Sequence, residues 1–157
     1  MPLDCTIHHV IKARIKMFSF IVVSALVALT PAFGGFSERK LEAARKSAEK
    51  SGKLIAFVFW QDYWDPDCPK CVAQVSANNN ATKSAIPRSN VVMVEIDKGD
   101  KDIDKLPACV SQQGNLPRVI VTDAAAAKVV ATLPGAPDRK ASTEFEKKVA
   151  EARGPKQ

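Results

Sequence analysis

The chain has 157 residues and carries 23 Lys and Arg against 17 Asp and Glu, a net charge of +6. That length supports one compact core and is short for two ordinary domains. The charges interleave, as in Glu38-Arg39-Lys40-Leu41-Glu42, and do not form a single-sign stripe, so nucleic acid is not an expected partner.

The first segment reads as a targeting signal. Lys12, Arg14 and Lys16 precede an apolar stretch from Phe18 to Leu29, followed by Thr30-Pro31-Ala32-Phe33-Gly34 with small residues suited to signal peptidase. The stretch is 12 residues long, well under the ~20 that a bilayer-spanning helix needs, so it predicts a cleaved leader and no stable membrane anchor. Met17 offers an alternative start, at the cost of all three positive charges. The expected organisation is a signal peptide over 1–34 and one domain over 35–157, located in the periplasm or secreted.

Behind the leader, helix and strand patterns alternate. Ser37 is placed to cap a helix with Leu41, Ala44 and Ala48 on one face, and Ser51-Gly52 supplies its stop. Leu54 to Trp60 is apolar throughout, which suits a central strand buried on both faces. A helix is expected from Cys68 into Ser76 to Asn80, weakened by three consecutive asparagines. Val91 to Ile96 reads as a second buried strand ending at Asp97. Leu106 to Gln113 reads as a short helix closed by Gly114 and Asn115. Arg118 to Thr122 and Lys128 to Leu133 read as two strands of a hairpin around 123–127. Glu144 to Arg153 closes the chain as an amphipathic helix with Phe145, Val149 and Ala152 inward. The fold class is α/β, with a central mixed sheet of about four strands flanked by helices.

The chemistry-bearing residues are few. Both histidines, His8 and His9, lie in the leader. The mature chain therefore lacks the imidazole that Ser-His or Cys-His catalysis and histidine metal sites require. Cysteine remains as the nucleophile, and after the leader it occurs at Cys68, Cys71 and Cys109, an odd number in which at least one thiol is free unless it pairs between chains. Cys68-Pro69-Lys70-Cys71 is the central motif: two thiols at this spacing can close and reopen a small disulfide, carrying two electrons. With Cys68 at the N-cap, Pro69 falls at the first helical position, where its missing N–H costs nothing. Cys68 then faces the positive end of the helix dipole, which favours its thiolate, and Lys70 adds a nearby positive charge that Asp65 and Asp67 oppose. Metal binding fits poorly, since two thiolates would have only Met93 as a further soft ligand. Asp100, Asp102 and Asp104 alternate as in a calcium loop, but Lys105 replaces the turn glycine and Ser111 the bidentate glutamate, so calcium is not expected. No cofactor or metal is expected.

From residues 37 to 152 this order of elements resembles the thioredoxin-like family. The resemblance rests on the hydrophobic strand ending in Phe59-Trp60, the C-x-x-C, the strand ending in Ile96-Asp97, Leu116-Pro117 before a hydrophobic strand, the hairpin, Gly135 and the terminal helix. The separations of 26 residues from Cys71 to Asp97 and 20 from Asp97 to Pro117 are close to the family layout. The resemblance implies that Pro117 is cis, packs against the disulfide and aligns the substrate backbone. It also implies that Cys68 is the attacking thiol, and that Cys71, one turn on and more buried, resolves the mixed disulfide. Leu116, Trp64, Pro69 and Lys70 would frame the substrate groove. The chain departs from the pattern in three places. The connection Gln61 to Asp67 is about four residues longer than usual, Val58 stands where thioredoxins keep a buried acid, and Leu116 before Pro117 is bulkier than is common there. In a second alignment, less well supported by the distance from Cys71 to Asp97, Trp64-Asp65-Pro66-Asp67-Cys68 occupies the family's Trp-Cys-x-x-Cys frame with Asp65 in place of the nucleophile.

The expected function is exchange of disulfides with protein substrates through Cys68 and Cys71, by a monomer working with a redox partner protein. The alternative is a non-catalytic binding module of the same fold whose Cys68–Cys71 disulfide is structural. Cys109 is expected on an inner face as a small apolar residue.

Overall fold

The computed structural model describes residues 36–154 except Trp64, Lys98, Ser111 and Gln112; the leader expected over 1–34 lies outside the described residues. Four strands form one mixed sheet in the order β2-β1-β3-β4. The strands are β1 (Leu54–Phe59), β2 (Val91–Ile96), β3 (Arg118–Thr122) and β4 (Val129–Pro134), and the helices are α1 (Glu38–Ser51), α2 (Pro69–Ser84) and α3 (Arg139–Arg153). β1 pairs parallel with β2 and antiparallel with β3, which pairs antiparallel with β4. This is the α/β arrangement, a central mixed sheet of four strands with helices, that the sequence predicts.

All six residues of β1 are buried, as its unbroken apolar run requires. Alternate residues serve opposite faces. Ile55, Phe57 and Phe59 join Leu41, Ala44 and Ala48 of α1 in one core cluster. Leu54, Ala56 and Val58 join Val119 and Val121, Ala85 and Ile86, and Phe145 and Val149 of α3 in the other. The capping residues act as expected for α1: the Ser37 hydroxyl accepts from Lys40 N at 3.3 Å, and Gly52 closes the helix in the left-handed region at φ 58°.

Several elements differ from expectation. β1 ends at Phe59, and Trp60 is half-buried beyond it. β2 is only partly buried, with Glu95 exposed, because it is an edge strand covered mainly on one side. The expected helix over Leu106 to Gln113 does not form among the described residues. A single 3₁₀ turn, Ile103–Lys105, precedes Pro107, and Val110 N bonds back to the Pro107 carbonyl at 2.7 Å; Leu106, held extended at ψ 145° as a residue before proline prefers, separates the two turns. α3 starts five residues earlier than Glu144, because Asp138 caps it by accepting from Ala141 N at 2.7 Å. Ala152 is exposed, and Arg153 docks that end instead, donating to Gly52 O at 2.9 Å and Asn90 Oδ1 at 2.8 Å.

The acidic run after β2 is used structurally. The Asp100 carboxylate accepts hydrogen bonds from the backbone N–H groups of Phe36 and Asp97, while Asp102 accepts from Glu38 N and pairs with Lys105. Lys105 also reaches Glu38 at 3.2 Å. The start of α1 is thereby tied to the loop after β2. Among the described residues no helix is long and apolar enough to cross a membrane.

Candidate functional site

The register of the sheet brings the motif elements to one end. Phe59 at the exit of β1 lies opposite Ile96 at the exit of β2 and opposite Arg118 at the start of β3, and Arg118 lies opposite Pro134. The chain leaving β1 runs to Cys68, and the chain entering β3 comes through Leu116-Pro117, so both connections occupy the same end of the sheet.

Cys68 is the N-cap of α2 and Pro69 follows at the first helical position, as the motif predicts. Cys68 and Cys71 form a disulfide with an S–S distance of 2.06 Å. The two residues are not equally exposed. Cys68 is half-buried, whereas Cys71 is exposed. This overturns the expectation that Cys71 is the more buried of the pair. The reason lies in α2. Its sixteen residues have no continuous apolar face, and only Thr82 is fully buried, so the helix does not lay its first turns onto the sheet.

A groove of about 420 Å³ opens beside the disulfide, lined by Gln61, Tyr63, Lys70, Cys71, Gln74, Val75 and Asn78. Its walls come from the long β1–α2 connection and from one face of α2. The connection is ordered by local bonds. Tyr63 donates to Asp65 Oδ2 at 2.9 Å, which raises the Tyr63 pKa above its usual value, and Asp65 Oδ1 accepts from Asp67 N at 2.9 Å. Cys68 N donates to the Asp65 carbonyl at 3.2 Å. Asp65 therefore shapes the turn into Cys68, and the sulfur chemistry belongs to the pair Cys68 and Cys71.

The asparagines expected to weaken α2 instead fasten it, and the helix runs four residues beyond Asn80. Asn79 Oδ1 accepts from Gln61 N at 3.2 Å, and Asn79 Nδ2 donates to Gln61 O at 2.9 Å. One side chain thus reproduces both bonds of a strand partner for the residue that leads out of β1. Asn78 accepts from Gln74 at 2.9 Å, and Thr82 donates to the Gly135 carbonyl at 3.2 Å. A carboxamide about three turns into a largely polar helix carried no signal of these tasks in the sequence.

On the other connection the Leu116–Pro117 peptide is cis, Pro117 is fully buried and Leu116 is exposed. Arg118, which no sequence feature marked beyond its place at a strand start, is buried with its guanidinium 4.6 Å from the centroid of the Phe59 ring, a cation–π distance. Burial lowers its pKa from the usual arginine value. Gly114 sits against this guanidinium. A Cβ there would come 2.5 Å from Arg118 Nη1, and its φ of +126° disfavours any side chain.

Of the remaining candidates, Lys70 and Pro69 are exposed on the first turn of α2, and Lys70 lines the groove. Trp64 lies outside the described residues. Cys109 is half-buried against the α1-side core, and its thiol donates to Ala126 O at 3.4 Å. Burial, with the nearby Asp123 charge, pushes the Cys109 pKa up. Val58 is fully buried among apolar neighbours. No group of three or more His, Cys, Asp or Glu among the described residues is arranged to hold a metal ion.

The chain matches no protein-family model and no curated protein. Among solved structures it is similar to a disulphide isomerase from Xylella fastidiosa Temecula1, at 22% identity over 71% of this chain and 94% of that one, with a TM-score of 0.40.

Proposed function

We propose that this protein is an exported thiol-disulfide oxidoreductase that exchanges disulfides with protein substrates through Cys68 and Cys71. The observation that carries the reading is a closed two-residue-spaced disulfide at the N-terminus of a long helix, with Cys71 lining an open groove. A thiolate released at a helix N-terminus is stabilised by the dipole, which makes the bond easy to open by exchange. Pro117 and Leu116, at the same end of the sheet, Pro69 and Lys70 on the first turn of α2, and, from the sequence alone, Trp64 are the residues assigned to substrate contact. The basic and apolar leader supports removal of residues 1–34 and action of the 35–157 domain in the periplasm or outside the cell; in this reading the protein is a monomer that works with a separate redox partner protein.

The test is catalysis of insulin disulfide reduction and of refolding of a reduced disulfide protein by the mature chain, compared with Cys68→Ser and Cys71→Ser. Activity in the native protein, its loss in both variants and reducible adducts on one of them support exchange. An inert native protein, with both variants equally poor in adducts, leaves a binding module with a structural disulfide.

A further inference from the structure

We infer that Arg118 is a positioning residue for substrate: its buried guanidinium joins the end of β1, which leads to the disulfide, to the 113–117 loop, and sets where that loop presents Leu116 and Pro117. The inference rests on the exchange reading above, which assigns Leu116 and Pro117 to substrate contact, and adds a residue that acts through them.

The first observation is a buried charge. Arg118 is 5% exposed and is the one charged residue buried among the described residues. Burying a guanidinium costs free energy unless contacts in the site offset it. All five residues of β3 are buried, and a valine or isoleucine at 118 would extend its apolar run at lower cost. What the arginine adds is reach.

The second observation is what it reaches. Arg118 lies two residues from Ile120 and so shares its face of the sheet, the side on which Ile120 and Phe59 join the α1-side core. Its guanidinium carbon lies 4.6 Å from the centroid of the Phe59 ring, and Phe59 is the last residue of β1 and the register partner of Arg118. The same guanidinium meets Gly114, where an added Cβ would come 2.5 Å from Nη1. One side chain therefore touches both connections at this end of the sheet.

The third observation is where the contact falls. Earlier in the loop, Ile103, Leu106 and Val110 pack on the α1-side core. Gln113 to Leu116 are all exposed, and burial resumes at Pro117. The guanidinium meets the backbone inside that exposed run, where no apolar side chain is buried to hold it. Gly114, without a Cβ and at φ +126°, lets the backbone close onto the guanidinium. The consequence is selective: a protein substrate lying along the loop depends on its position, whereas a small thiol that meets only the sulfurs does not.

The test compares two reactions of the mature protein. One is dithiothreitol-driven reduction of insulin, read as KM and kcat. The other is the rate at which 2-mercaptoethanol, which has no peptide backbone, opens the Cys68–Cys71 bond. Arg118→Met keeps a long apolar side chain without the charge or the planar group. It should raise KM for insulin about fivefold, with kcat and the 2-mercaptoethanol rate changed less than about twofold. Arg118→Lys, which keeps a cation for the Phe59 ring, should fall between Arg118→Met and the native protein. Gly114→Ala, which crowds the guanidinium from the loop side, should raise KM in the same direction.

An unchanged KM in Arg118→Met overturns the inference. So does a loss of equal size in both reactions, which is the mark of a residue that only stabilises the fold or acts on the disulfide itself. Should Arg118→Met fail to fold, Arg118→Lys and Gly114→Ala carry the same test with the same overturning results. A native protein inert to both insulin and 2-mercaptoethanol overturns the exchange reading and this inference with it. A native protein active in both reactions, with variants that match it, overturns this inference alone.

Discussion

Helices α1 and α2 follow one another in the chain and are held in place by opposite means. α1 buries Leu41, Ala44 and Ala48 against β1 and β2, and its position is set by apolar packing. α2 is longer but buries only Thr82, and is fixed by Asn79 clasping Gln61 and by Thr82 on Gly135. Packing is non-directional and spread over many atoms, whereas three hydrogen bonds are directional and few. A helix held in the second way can present its first turn to a substrate without uncovering the core. That is the arrangement a disulfide-exchange site needs.

The comparison breaks if apolar truncation affects the two helices alike. Leu41→Ala removes a buried side chain and should cost about 2–5 kcal/mol in chemical denaturation. Val75→Ala, on the half-exposed groove face of α2, should cost under ~1 kcal/mol. Comparable losses would mean that α2 contributes to the core as α1 does.

Asn79→Ala tests the polar side. It removes both bonds to the Gln61 backbone, at about 1 kcal/mol each, and should lower stability by about 2 kcal/mol. Its more specific readout is faster hydrogen exchange in the Gln61 to Cys68 connection, with the protection of α1 unchanged. Opening the Cys68–Cys71 bond should have a similar or smaller effect, since a loop of four residues limits the entropic gain to about 2 kcal/mol. Reduced and oxidised protein should therefore both remain folded by circular dichroism. Unfolding on reduction would make the disulfide a structural one.

The contrast between the helices also marks how far the sequence could be read. α1 was legible because its cap, its apolar stripe and its stop residue all describe the same segment, and β1 because six consecutive apolar residues have few other uses. Cys68, Pro69 and the cis-linked Pro117 were legible as a motif with its downstream proline. What depends on contacts distant in sequence was not. The exposure of Cys71 follows from whether α2 lies down on the sheet, which its mixed composition leaves to tertiary ties. The Asn79–Gln61 clasp turns three apparent helix-weakening residues into a fastening, and Arg118 over Phe59 depends on a strand pairing. The early start of α3 follows from the Asp138 cap, which the apolar pattern, beginning near Glu144, does not mark.

The smallest expected effect concerns the α1 side, where Cys109 lies half-buried and bonds as a neutral thiol to Ala126. Burial raises its folded pKa above the usual thiol value, so folding disfavours the thiolate. Below the unfolded pKa of ~8.5 the thiol is protonated in both states and its contribution is fully present. Above that, the unfolded chain releases the proton more readily than the folded one, and the contribution is lost as pH rises through the folded pKa. The denaturation midpoint should therefore fall between about pH 8 and 10 more steeply in the native protein than in Cys109→Ala. Cys109 should also react with iodoacetamide more slowly at pH 7 than a thiol of ordinary pKa, as mapped by peptide mass spectrometry. Parallel pH profiles for the two proteins would place the thiol in water, and the α1-side core would then end short of Cys109.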